Sequence, residues 1–219
     1  MSVSISLQLE ATGYPEMDKL VQKTGISKDL YNKNNPSKHL TLSTIIVDFN
    51  DLMKLLKKSV DTNTGKIINK LISKKSDKIK NWEIDLVIKL LEDWLNKEVS
   101  KFALREIKPI VDEADVIDLE FIELDLWSSG HLIAIFQEDE YDDYDEIIYQ
   151  TRKFMKRMFK SDNFTLDEDE VVPHLTLAKF DKDDHKKLKR KLKQPSWNVP
   201  DYKIISGQWY MYPTIRMRF

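Results

Sequence analysis

HLTL, residues 39–42, recurs letter for letter at residues 174–177. The chain has four histidines, and two of them head the same tetrapeptide, which marks an internal repeat. Leu-Thr-Leu alone is ordinary strand composition, so the weight of the repeat rests on the histidines. Strand side chains alternate between faces. In each copy, therefore, His and Thr share one face and the two Leu share the other. His39 and Thr41 point one way, with Leu40 and Leu42 behind them; His174 and Thr176 repeat the arrangement over Leu175 and Leu177. If the two halves are related by a pseudo-twofold axis, both His–Thr pairs face one shared cleft.

The pattern around the motifs supports a duplicated α+β unit. Val3, Ile5, Leu7 and Leu9 alternate with polar residues, which predicts a half-buried strand. Gly13, Pro15 and Gly25 punctuate the next stretch, with a short helix predicted from Pro15. The first HLTL opens a strand over residues 39–47. Helical spacing then predicts helices over 49–56, 67–72 and 82–99. A strand is predicted at 102–107. Next comes a hairpin, with strands at 116–126 and 131–136 around Trp127-Ser128-Ser129-Gly130. Residues 143–160 predict a helix with an acidic start and a basic end, which matches the helix dipole. The second HLTL lies in a strand over 171–180. A basic helix at 182–193 and three short strands at 202–206, 208–212 and 214–218 complete the chain.

With 219 residues and 41% hydrophobic residues, the chain is long enough to bury a real core. The pattern predicts a single two-lobed domain over 1–219, present as a monomer. The charge of −2 gives no global pull toward a polyanion, so any such recognition must come from local patches. The absence of cysteine excludes disulfides and thiolate chemistry. MSVSISLQLE lacks the basic and apolar regions of a signal peptide, and no apolar run reaches the ~18 residues of a membrane span. A cytoplasmic protein is expected, with a nuclear location open and no membrane partner.

Two imidazoles across a cleft suit phosphodiester chemistry. In-line displacement at phosphorus needs a base for the attacking hydroxyl or water and an acid for the departing oxygen. Histidine fills both roles near neutral pH. Thr41 and Thr176 can donate to the non-bridging oxygens as charge builds. No cofactor or metal is required. The other two histidines carry less. His131 comes after a Gly at a hairpin turn, and His185 sits in the charged run Asp183-Asp184-His185-Lys186-Lys187. A zinc site built from all four has neither H-E-x-x-H nor a Cys pair behind it. The basic run at 185–193 reads either as a solvated helix face or as a guide for RNA. The acidic run at 138–146 lacks the Gly and ligand spacing of a calcium loop. A nucleotide substrate needs rings for its base. Among Tyr14, Trp127, Phe136, Phe180 and Trp209, the choices for the cleft are Tyr14, Phe180 and Trp209; Phe180 shares the face of His174 by alternation.

Lys38-His39-Leu40-Thr41-Leu42 and Pro173-His174-Leu175-Thr176-Leu177 resemble the paired H-x-T/S-h motifs (h hydrophobic) of the two-histidine (2H) phosphoesterase superfamily. Pro173 and the run Ala178-Lys179-Phe180 look most like the branch containing the central domain of an A-kinase anchoring protein and 2′,5′-phosphodiesterases. The resemblance implies a bilobal LigT-like fold, with two antiparallel sheets lining a central cleft and helices outside. It implies metal-independent cleavage of 2′,5′-linked oligonucleotides or 2′,3′-cyclic phosphates. His39 and His174 would be the acid/base pair, and Thr41 and Thr176 the phosphate-binding hydroxyls. The partners it implies are small RNA, oligonucleotides or nucleotides. The helical stretch at 49–99 departs from the family pattern. Two other readings of the same residues are a non-catalytic nucleotide-binding module and a ligase-like enzyme of RNA repair.

Overall fold

The computed structural model describes residues 2–11, 39–73, 80–127, 130–138, 143–167, 171–179 and 201–218. Strand β1 (Ser2–Ala11) places Val3, Ile5, Leu7 and Leu9 on one face, each essentially fully buried. Strand β2 (Leu40–Asp48) buries Leu40, Leu42, Ile45 and Val47, and a register irregularity opposite Leu7 and Gln8 takes up the three-residue step from Leu42 to Ile45. This is the period-two pattern of a sheet with one face packed and the other partly open. Asp48 ends β2 and caps the next helix, accepting backbone N–H bonds from Asn50 at 2.8 Å and Asp51 at 3.3 Å.

Three helices come after β2: α1 (Phe49–Lys57), α2 (Thr62–Ile72) and α3 (Asn81–Phe102). α3 continues through a π-helical turn at Ala103–Ile107 into α4 (Lys108–Ala114). The strand expected at 102–107 is therefore helical. Its apolar residues satisfy either period over so short a window, but Val99, Ala103, Ile107 and Val111 are all buried at a spacing of four. Ala, Leu, Arg and Glu within it are also strong helix formers. The wide turn accommodates Pro109, which has no N–H to give to a preceding turn. There, the Lys108 N–H reaches the Ala103 carbonyl.

The rest of the chain supplies β3 (Val116–Leu126), β4 (His131–Glu138), α5 (Asp143–Phe159), β5 (His174–Lys179), β6 (Tyr202–Ile205) and β7 (Trp209–Arg218). The two short strands expected over 208–218 are one strand, β7, which runs unbroken through Pro213. Proline is tolerated there because β7 ends the strand order, and one of its edges has no partner strand among the described residues. The β3–β4 turn closes with Gly130 at φ 84°, and its N–H bonds to the Trp127 carbonyl at 2.8 Å. That left-handed backbone suits glycine, and it sets Trp127 at the mouth of the hairpin. The regions predicted as a helix from Pro15 and as a basic helix at 182–193 lie outside the described residues.

The described strands form one antiparallel sheet of seven, in the order β6-β3-β4-β5-β2-β1-β7, in place of the two sheets expected. The two halves are joined between β2 and β5, through a single register pair, Leu40 with Leu175. Pairing the two motif strands removes two exposed edges. Farther along, β2 changes partner. Ile46 N–H donates to the Asn163 carbonyl at 2.8 Å, and Thr165 N–H donates to the Thr44 carbonyl at 3.0 Å. α3 packs on β7 and α5 on β2, and their buried residues join one core cluster with the Leu face of the sheet. No helix among the described residues is long and apolar enough to cross a membrane.

Leu40 and Leu175 are both fully buried at the seam. Truncating either to Ala should cost about 2–5 kcal/mol. The double variant should lose less than the sum, because each cavity opens into the other. Urea unfolding of the two single variants and the double variant measures both quantities.

Candidate functional site

The antiparallel register at Leu40 and Leu175 has a direct consequence for their neighbours. Continued by one residue each way, it sets Thr41 across from His174 and His39 across from Thr176. The leucines point into the core, so all four polar side chains belong to the opposite face. That register makes His39 and His174 diagonal neighbours on one face of adjacent strands, a relation that typically sets residues about 7–8 Å apart. The row extends in both directions. Gln8 pairs with Thr41 and with Tyr212 on one side, and Ile135 pairs with His174 on the other. A register irregularity in β1 and β2 falls beside Gln8, as often happens where a strand re-aims its side chains.

His174 is held in one tautomer. Its Nδ1 lies 2.8 Å from the Val172 carbonyl; a carbonyl only accepts, so Nδ1 carries the proton and donates. Nε2 is then the basic nitrogen. Burial lowers the His174 pKa below its ordinary value, and the bond to Val172 opposes this with a smaller effect. Burial therefore favours the neutral imidazole. The Trp127 ring lies against it, with centroids 4.9 Å apart. His39 has a different neighbour: its ring meets Tyr212 edge-on at 6.1 Å, and Tyr212 stacks on Tyr210 at 5.8 Å.

A cavity of about 360 Å³ opens beside this face. Thr41 and His174 line it, together with Arg152 and Thr165; His39 and Thr176 are not among its lining residues. The cavity lies where β2 leaves β5 and takes up residues 163–165 instead. Two polar atoms near it are buried without a hydrogen-bond partner, Gln8 Oε1 and Ser43 Oγ. Thr44 is engaged, its hydroxyl 2.7 Å from that of Ser6.

The aromatic choices made from sequence fare differently. Tyr14 and Phe180 lie outside the described residues. Trp209 lines a separate pocket with Ala103, Leu104 and Lys108, packed against the helical layer. Alternation along β7 turns Tyr210 and Tyr212, not Trp209, toward the face of His39. Trp127, a candidate ring in the sequence but not one of the three choices for the cleft, is the one that meets the second imidazole. Gln8 and Arg152 had no sequence signal, since each is brought to the motifs by a strand or helix distant from them in the chain. His131 is half-buried on β4, on the same face as Ile133 and Ile135. Among the described residues no group of three or more His, Cys, Asp or Glu side chains is arranged to hold a metal ion.

Because burial resists the charged imidazole, His174 should titrate below 6.5 when monitored by NMR of its ring protons. The unfolded chain takes up that proton more readily. Stability linked to His174 is thus fully present above the unfolded value and is lost as pH falls toward the folded midpoint. His174→Gln should flatten this part of the stability–pH curve measured in urea.

No family model matches this sequence, and no curated protein matches it.

Proposed function

We propose that the chain is a metal-independent phosphodiesterase of the two-histidine kind, acting on 2′,5′-linked oligonucleotides or 2′,3′-cyclic phosphates of small RNA and nucleotides. The observation that carries this reading is the Leu40–Leu175 pairing, which sets the two HLTL copies side by side in opposite directions. A two-lobed arrangement of the LigT type, with its pseudo-twofold axis through that pair, is part of the same proposal.

The chemistry rests on the surroundings of each imidazole. His174, neutral and with Nδ1 committed to Val172, takes a proton at Nε2 from the attacking water or neighbouring ribose hydroxyl. The new O–P bond forms as the opposite one breaks, and His39 gives its proton to the departing oxygen. Each group of this kind supplies roughly 100- to 10,000-fold in rate. Thr41 and Thr176 donate to the non-bridging oxygens, which gain charge in the transition state. Trp127 on one side and Tyr210–Tyr212 on the other offer flat surfaces for bases, the kind of contact that single-stranded nucleic acids favour.

The test is a panel of 2′,5′- and 3′,5′-linked oligoadenylates and 2′,3′-cyclic nucleotides, incubated with the protein in EDTA. Cleavage of a 2′-linked or cyclic member is expected. His39→Ala and His174→Ala should each slow it at least about 100-fold while circular dichroism stays unchanged. The rate should fall on the acid side as His174 takes up a proton. Full turnover by either variant, or loss of activity on chelation, would overturn the assignment. Tight binding of the panel without products would favour the non-catalytic module, and joining of ends in the reverse direction would favour the ligase.

A further inference from the structure

We infer that Trp127 is a positioning residue for His174: the indole covers the imidazole, excludes water from it and so holds it as an uncharged proton acceptor. The use of such an acceptor rests on the phosphodiesterase reading; the contact and its effect on the ring do not.

The strand ladder does not provide this contact. Trp127 is aligned with His131, whose carbonyl accepts the Trp127 N–H at 2.9 Å. His174 pairs instead with Ile135, four residues farther along β4, or roughly 13 Å of extended strand. The two rings nevertheless lie 4.9 Å apart, inclined at 53°. Both line the same cavity, with Ile135, Val171 and Val172 as further apolar walls. Trp127 is exposed and His174 half-buried, so the indole is the outer of the two rings.

An indole acts on an imidazole in two opposed ways. Covering the ring strips water from the imidazolium, and full burial can move a histidine by several pH units. The negative π face attracts a cation and favours the imidazolium, but at an exposed ring this is worth less than about one pH unit. At His174 burial is the larger effect, and it lowers the pKa below its ordinary value. No counter-ion restores the charged form. The lining residues come from β2, β4, α5, the β3–β4 hairpin and residues 165–174, and the other charged side chain among them is the cation Arg152. Thr41 across the register and His39 on the diagonal bring no negative charge either.

NMR titration of the His174 ring protons in the full chain, with Trp127→Ala and Trp127→Leu beside the native protein, reads the effect without substrate. Both variants keep the main-chain bonds of the hairpin, from Trp127 N–H to His131 and from Gly130 N–H to Trp127. The midpoint should rise toward the ordinary 6.5 in Trp127→Ala. Trp127→Leu keeps an apolar cover without a π face, and its midpoint should fall between those of the alanine variant and the native protein. An unchanged midpoint in Trp127→Ala would overturn the inference. So would a lowered one, which would make the indole a cation–π partner of the imidazolium. Should the alanine variant fail to fold, Trp127→Leu decides on the same terms, with a raised midpoint in support and an unmoved or lowered one against. In a protein that cleaves the diester panel, the acid limb of the rate profile should move with the midpoint. A Trp127-dependent midpoint in a protein that cleaves no member of the panel keeps this role for Trp127 and removes the phosphodiesterase reading. Cleavage with a midpoint indifferent to Trp127 does the reverse.

Discussion

The structure depends on one antiparallel contact between strands far apart in sequence, Leu40 against Leu175. Both leucines, with Leu42 and Leu177, are fully buried. A slip of one residue in either strand would turn its leucines out and bury its histidine and threonine instead. The hydrophobic demand of the core therefore fixes which way the polar residues face. Each HLTL copy does two jobs with alternate letters: its leucines close the seam between the halves, and its histidine and threonine are carried to the opposite face. Packing and candidate chemistry cannot drift apart here, because neighbouring residues of a single strand supply both.

Identical motifs do not make identical sites. His174 is pressed against Trp127 and bonded to a backbone carbonyl, and its burial favours the neutral ring. His39 meets the edge of Tyr212 on β7, the end strand of its own half of the sheet. Acid–base catalysis by two groups requires this kind of difference, since one must lack a proton while the other holds one. The repeat supplies two equivalent positions, and residues outside it make them inequivalent. The near-symmetric sequence could not assign base and acid. In the proposed reaction, the burial of His174 suits it to the role of base.

Strict alternation made β1 legible in the sequence, the Trp127-Ser128-Ser129-Gly130 turn signal did so for the β3–β4 hairpin, and the stripe Val87, Leu91, Leu95 for α3. The faces of His39, Thr41, His174 and Thr176 were legible by alternation as well. Residues 102–107 misled because a short segment with apolar ends satisfies both a strand and a helix, and only burial at Ala103, Ile107 and Val111 separates them. Pro213 suggested a break that an edge strand does not need. The joining of two expected sheets into one, and the arrival of Tyr212 and Arg152 near the motifs, depend on contacts between residues distant in sequence. Local pattern carries no record of such contacts. Trp209 and Tyr212 are near neighbours in the chain, and only the register of β7 against β1 and the helix layer tells which of them meets a histidine.

The position of the cavity is set by β2 alone. Near Leu40 the strand bonds to β5, and from Thr44 to Ile46 it bonds to residues 163–165. A strand that changes partner along one edge leaves a gap at the change, because the two partners must diverge to go their separate ways. Here the gap is bordered by Thr41 from the strand that switches and by His174 from the start of the partner it leaves. Leu166, Val171 and Val172 add apolar walls, and α5 supplies Arg152. The cavity thus arises from a conflict in hydrogen bonding. β2 cannot pair with β5 and with residues 163–165 at the same place, and the space left between them opens directly onto a motif histidine.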